Sequence, residues 1–127
     1  MILGIDLGKK TTGLAISHGQ ISTPFKTISH KSQKEAVEKI SDIIKSENVD
    51  KVILGFVEGQ IKKLFDDFEV KLKEKNPNLE IIMWDETLTT RQAQELAIKL
   101  HIRKTKKKEK EHEVAASLIL QSYLDSL

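Results

Sequence analysis

Three side chains in this sequence are of types that do chemistry and stand where the local pattern has no structural need of them. Asp6 lies in GIDLG, between the apolar residues Ile2, Leu3, Ile5 and Leu7. A carboxylate buried alone in such a strand is costly unless it is paired, hydrogen-bonded or bound to a metal, so an acid here points to a cation or a reaction. Gly4 and Gly8 on either side allow a ligand or another backbone to come close. A turn cap before Gly8 is the plainer alternative. Glu86 lies in WDETLTT, directly after the apolar run Leu79 to Trp84. It therefore falls at the carboxyl end of an expected strand, where ligands gather in sheets that contain parallel strands. The alternative is that Asp85, Thr87, Thr89 and Thr90 cap a following helix and Glu86 favours its dipole.

His112 opens a stripe that continues through Ala116, Ile119 and Tyr123 at helical spacing, so it should point inward. An imidazole there can bind a metal or exchange a proton, whereas a helix-end histidine can also be simply solvated. Glu109 and Glu113 flank it, and either can supply a carboxylate in its place. Net charge is only +2, but it is unevenly spread. Arg103, Lys104, Lys106, Lys107, Lys108 and Lys110 surround a single acid, Glu109, in a stretch with no apolar residue. Together with Lys9 and Lys10, this run would neutralise phosphates, giving affinity and salt dependence with little sequence choice. A solvated loop is the alternative.

Hydropathy periods say which elements must carry these groups. Met1 to Leu7 and Thr11 to Ser17 read as strands joined by a turn at Gly8, Lys9 and Lys10, and Gly19 to Ile28 as a third strand. Pro24 cannot donate to a ladder and pushes that third strand toward an edge. Val37, Ile40, Ile43 and Ile44 define a helix from Ser32 to about Lys45, with Ser32 and Glu35 as a capping box. KVILGF (Lys51 to Phe56) is a buried strand. Ile61, Leu64, Phe65, Phe68 and Leu72 form a helix that Asn76 and Pro77 stop. Leu79 to Trp84 is a further strand, Ala93 to Leu100 a third helix, and Val114 to Leu124 a fourth. The order predicts an α/β protein with a mixed five-stranded sheet flanked by helices, an antiparallel meander joined to parallel strands.

Composition narrows the function classes. A chain of 127 residues, 39% apolar and 31% charged, suits one soluble domain over residues 1–127. The absence of cysteine removes disulfides, thiol catalysis and Cys-based zinc sites, and is compatible with a reducing cytoplasm. MILGIDLGKK does not read as a signal peptide, and no apolar run approaches the roughly 20 residues of a membrane span. A cytoplasmic protein with no membrane partner is expected.

GIDLGKKTTGLAIS, KVILGF, WDETLTT and HEVAASLILQSYL, in this order and over nearly the whole chain, resemble the successive signature blocks of the YqgF/RuvX family of pre-16S rRNA nucleases and Holliday-junction-resolvase homologues. The resemblance implies an RNase H-like fold and a Mg²⁺- or Mn²⁺-dependent nuclease acting on structured nucleic acid, an rRNA precursor or branched DNA. It admits association with the ribosome and a homodimer, since resolvase chemistry would need two sites. Asp6 and Glu86 match two family acids, and His112 stands where the family usually carries an aspartate. The three would bind the cations, although an imidazole is a poorer partner for hard Mg²⁺. Thr87 replaces an expected arginine, and VEGQ shortens the loop after KVILGF. A non-catalytic RNA-binding or ribosome-assembly factor is the rival reading. GIDLG also resembles the phosphate loop of sugar kinases and actin-like ATPases, but this chain is too short for their two domains.

Overall fold

The computed structural model describes residues 1–56, 62–86 and 111–127. The expected helix at Ala93 to Leu100, the basic run from Arg103 to Lys110 with Glu109, the VEGQ segment, and Thr87, Thr89 and Thr90 lie outside the described residues. Five strands, β1 (Ile2–Asp6), β2 (Thr11–Ser17), β3 (Thr23–Ser29), β4 (Lys51–Phe56) and β5 (Glu80–Asp85), form one sheet in the order β3-β2-β1-β4-β5. β1, β2 and β3 pair antiparallel, and β4 and β5 continue from β1 in parallel. This is the expected mixed sheet. Among the described residues there are three helices, α1 (Gln33–Ser46), α2 (Lys62–Lys75) and α3 (Glu111–Asp125). None is long and apolar enough to cross a membrane.

β3 starts later than the reading from Gly19 and lies at the sheet edge, as Pro24 requires. Its register against β2 slips between Leu14 and Ala15, where Pro24 pairs with Ala15. The capping box at α1 is offset. Ser32 Oγ accepts from Glu35 N at 3.2 Å, but the Glu35 carboxylate accepts from Lys31 N at 3.1 Å rather than from the cap residue. Asn76 ends α2, and its buried amide donates to Ser41 Oγ at 3.1 Å and to Leu72 O at 3.0 Å, tying α2 to α1.

Because side chains alternate along each strand, the sheet has two different faces. Leu3, Ile5, Leu14, Val52 and Leu54 pack on one side against Val37, Ile40 and Ile44 of α1 and Phe68 and Leu72 of α2. On the other side Ala15 and Ile53 meet Ala116, Ile119, Leu120 and Tyr123 of α3. That face is nearly bare where α3 crosses it. A β-carbon on Gly13 would stand 1.9 Å from the carbonyl oxygen of His112, and one on Gly4 would stand 2.9 Å from that of Ala116. Helix backbone lies against sheet backbone, and Asp6, two residues beyond Gly4, comes out on this face at the edge.

Gly13→Ala should therefore lift the start of α3 and destabilise the protein by about 2–3 kcal/mol, the upper range for overpacking. Gly19, with nothing within 4 Å of an added β-carbon, is the control, and its alanine variant should stay within about 0.5 kcal/mol of wild type. Urea midpoints of the two variants check this, and equal midpoints would contradict the close approach.

Candidate active site at the carboxyl edge of the sheet

Asp6 is the last residue of β1, paired with Gly13 of β2 on one side and Gly55 of β4 on the other. Neither neighbour has a side chain to cover it, and the Asp6 side chain is 19% exposed. Glu86 follows β5, and its N–H donates to Phe56 O at 2.8 Å, extending the parallel ladder by one residue. That bond fixes Glu86 beside the end of β4. Its carboxyl group then leans across Gly55, with Oε1 only 3.1 Å from where a β-carbon on Gly55 would be, and hydrogen-bonds the Asp6 side chain. Gly55 in KVILGF is thus a residue whose lack of a side chain lets two acids on different strands meet.

The electrostatics follow from that meeting. Burial raises the Asp6 carboxyl above the usual range, and the hydrogen bond from Glu86 partly opposes the rise. Burial pushes Glu86 up to about 7, helped by the charge of Asp6, by its role as donor to Asp6, and by the charge of Asp85. Two carboxylates this close do not both ionise readily. Glu86 keeps the proton and donates it to Asp6.

His112 lies at the first turn of α3 and reaches the same carboxylate, with Nδ1 at 3.7 Å from Asp6 Oδ2 and Nε2 at 3.0 Å from Thr11 Oγ1. The stripe below it, Ala116, Ile119 and Tyr123, is buried as expected. His112 itself corrects the inward reading, because its side chain is 45% exposed and sits on the rim. Glu113 is directed elsewhere, accepting from Thr27 Oγ1 of β3 at 3.1 Å. Lys9 and Lys10 are exposed in the turn between β1 and β2, next to the site. Asp6 thus stands between Glu86 and His112, although among the described residues no three His, Asp or Glu side chains are gathered closely enough to cage an ion.

Gly55, Thr11 and Thr27 were not visible as site residues in the sequence. Glycine in an apolar run and threonine in a strand are ordinary, and only the register across strands gives these three their neighbours.

An antiparallel meander continued by parallel strands, with an acid pair at the carboxyl edge of the first and last parallel strands, defines the RNase H-like class. Solved structures agree on the fold. The fowlpox virus Holliday junction resolvase is similar with a TM-score of 0.63 at 19% identity, covering 99% of both chains. Thermus thermophilus RuvC is similar with a TM-score of 0.59 at 11% identity, covering 98% of this chain and 95% of that one. The family model described as "RuvX: Holliday junction resolvase" matches residues 1–126, and the chain belongs to that family. A Staphylococcus aureus relative named "Putative pre-16S rRNA nuclease" is 34% identical over 99% of this chain and 96% of its own.

The acid pair predicts a pH signature. A carboxyl whose folded pKa, about 7, lies above its unfolded value stabilises the fold below the unfolded pKa and loses that contribution as pH rises through the folded one. His30, held low by burial, acts with the opposite sign, so the informative quantity is a difference. In chelator, Glu86→Gln should gain stability relative to wild type between pH 5 and pH 8, on the order of 1 kcal/mol once solvent screening is allowed for. Urea denaturation at several pH values measures it, and parallel curves for the two proteins would show that no proton is shared.

Proposed function

We propose that this protein is a divalent-metal-dependent nuclease that hydrolyses phosphodiester bonds in structured nucleic acid, with precursor 16S rRNA as its substrate. The observation that carries this is the meeting of Asp6 and Glu86 at the sheet edge with His112 beside them. The names of the family and of the S. aureus relative support the same chemistry. The reading takes residues 1–127 as one domain working in the cytoplasm.

The residues present suit a divalent ion. Two acids forced to share a proton are a site whose repulsion a cation would relieve. The separation of 3.7 Å between His112 Nδ1 and Asp6 Oδ2 is too long for a hydrogen bond. It is shorter than the roughly 4.2 Å that two metal–ligand bonds can span, so one ion can engage both atoms. Asp6, Glu86 and His112 would hold the metal once their side chains are drawn in around it, and His112 favours Mn²⁺ over Mg²⁺ because imidazole nitrogen suits transition metals better than hard ions. When bound, Mg²⁺ or Mn²⁺ supplies charge stabilisation at the phosphoryl oxygens and lowers the pKa of water.

The chain's own groups do the rest. Asp6 is the shared acceptor between the other two, and Glu86 must give up its proton to bind a cation. Lys9 and Lys10 on the adjoining turn face incoming phosphates as mobile point charges. Arg103, Lys104, Lys106, Lys107 and Lys108 add a sequence-independent attraction that positions the backbone without reading bases.

Asp6→Asn should reduce Mn²⁺-dependent cleavage of a precursor 16S rRNA end by at least 10³-fold while the fold, followed by circular dichroism, is kept. A variant that still cleaves at the wild-type rate would overturn the assignment. A four-way DNA junction run in parallel distinguishes the substrate the family's description names. Charge reversal at Lys106, Lys107 and Lys108 should weaken RNA binding most at low salt and flatten its salt dependence. Unchanged affinity would remove the basic run from the binding surface.

A further inference from the structure

We propose that Thr11 is a positioning residue that holds the ring of His112 by its Nε2 so that Nδ1 faces Asp6. The proposal rests on the metal-dependent reading of the site above. Thr11 is the first residue of β2, and its Oγ1 lies 3.0 Å from His112 Nε2. A neutral imidazole carries one N–H, and the partner of one nitrogen decides what the other offers. The contact between Nδ1 and Asp6 Oδ2, at 3.7 Å, is too long to use a proton well. Thr11 Oγ1 engages Nε2, so Nδ1 is the nitrogen turned to the carboxylate, and with Nδ1 on a metal the ring proton on Nε2 would find its acceptor in Thr11.

Thr11 can impose this because its own position is held from the opposite side. His30 N donates to Lys10 O at 2.8 Å, and the buried His30 ring bonds Thr12 Oγ1 through Nε2 at 2.8 Å. Thr12 Oγ1 in turn accepts from Gly8 N at 3.5 Å. The turn from Gly8 to Thr11 is pinned through these bonds to His30, in the connection between β3 and α1. Branching at Cβ further restricts the Thr11 rotamer. The helix end is held as well, by Thr27 on Glu113 and by the contact of Gly13 with the His112 carbonyl. With both backbones fixed, the hydroxyl of Thr11 chooses the orientation of a ring that solvent would otherwise leave free to turn.

Outer partners of ligating histidines typically change metal affinity 10–100-fold when removed. Thr11→Val keeps the shape and branching and deletes the hydroxyl, and Thr11→Ser restores it. Side-chain NMR of the metal-free protein should show one orientation of the His112 ring in wild type and in Thr11→Ser, and averaging between orientations in Thr11→Val. Calorimetry with Mn²⁺ alone should show about tenfold weaker binding for Thr11→Val and near wild-type binding for Thr11→Ser. An averaged ring orientation in wild type, or Mn²⁺ affinity in Thr11→Val within about twofold of wild type, would overturn the proposal. Asp6→Asn separates the two readings. If it leaves Mn²⁺ binding intact, the metal-site reading fails, while the ring-orientation spectra still decide whether Thr11 sets the ring.

Discussion

The site depends on how closely α3 lies on the sheet. Gly13, Gly4 and Gly55, on three adjacent strands, leave β2, β1 and β4 without side chains beneath the helix, and the helix fills that space with its own backbone and with Ile119 and Leu120. A methyl group at Gly13 would collide with the helix backbone rather than with a flexible side chain. This contact brings the first turn of α3 down to the level of β1, so a side chain on the helix can reach an acid on the strand. It also dries the surroundings of Asp6, and this dryness raises the pKa of both carboxyl groups.

The two faces of the sheet divide stability from chemistry. Large aliphatic and aromatic side chains from α1 and α2 fill the first face, and burial of that kind contributes about 25 cal/mol per Å². The α3 face mixes apolar residues of every size with buried polar ones that are hydrogen-bonded. Gln121 Oε1 accepts from Ser22 N at 2.9 Å, Ser22 Oγ donates to Ser117 O at 2.6 Å, and Trp84 Nε1 donates to Ser122 Oγ at 3.2 Å. Such bonds have directions, whereas apolar contacts tolerate sliding, so they keep α3 in register along the strands. A strained pair of acids can persist at the edge because the opposite face carries much of the burial.

Elements defined by one strong period were legible in the sequence. The stripe of α1 falls where its single buried face puts it, while KVILGF and the last helix, buried on more than one side, were marked by their apolar content. β3 was misplaced at its start, since an edge strand with Pro24 and a register slip lacks a clean alternation. Asp6 and Glu86 stood out because each acid sits in or directly after an apolar strand. His112 was read as inward from its helical stripe, but that stripe begins at the rim and the first turn of a helix projects past the sheet it covers. The parts that stayed hidden, Gly55 under Glu86 and Thr11 against His112, are relations between strands and helix that no local pattern encodes.

The imidazole at position 112 changes the electrostatic design of the edge. The family pattern that the sequence resembles would place an aspartate there, adding a third negative charge near a carboxylate whose desolvation already costs free energy. An imidazole adds no negative charge there, and so less repulsion is released when a cation arrives. Attraction for a hard ion falls accordingly, because one of three charges is gone, while a donor nitrogen is gained that transition metals use well. Losing charge also loses the strongest orienting force on the third side chain. A carboxylate would be drawn toward a cation from several rotamers, but an imidazole ligates only along the lone pair of one nitrogen. A site that exchanges aspartate for histidine thus needs a hydrogen-bonding partner to aim the ring, and in this fold the hydroxyl on the first residue of β2 is within reach of it.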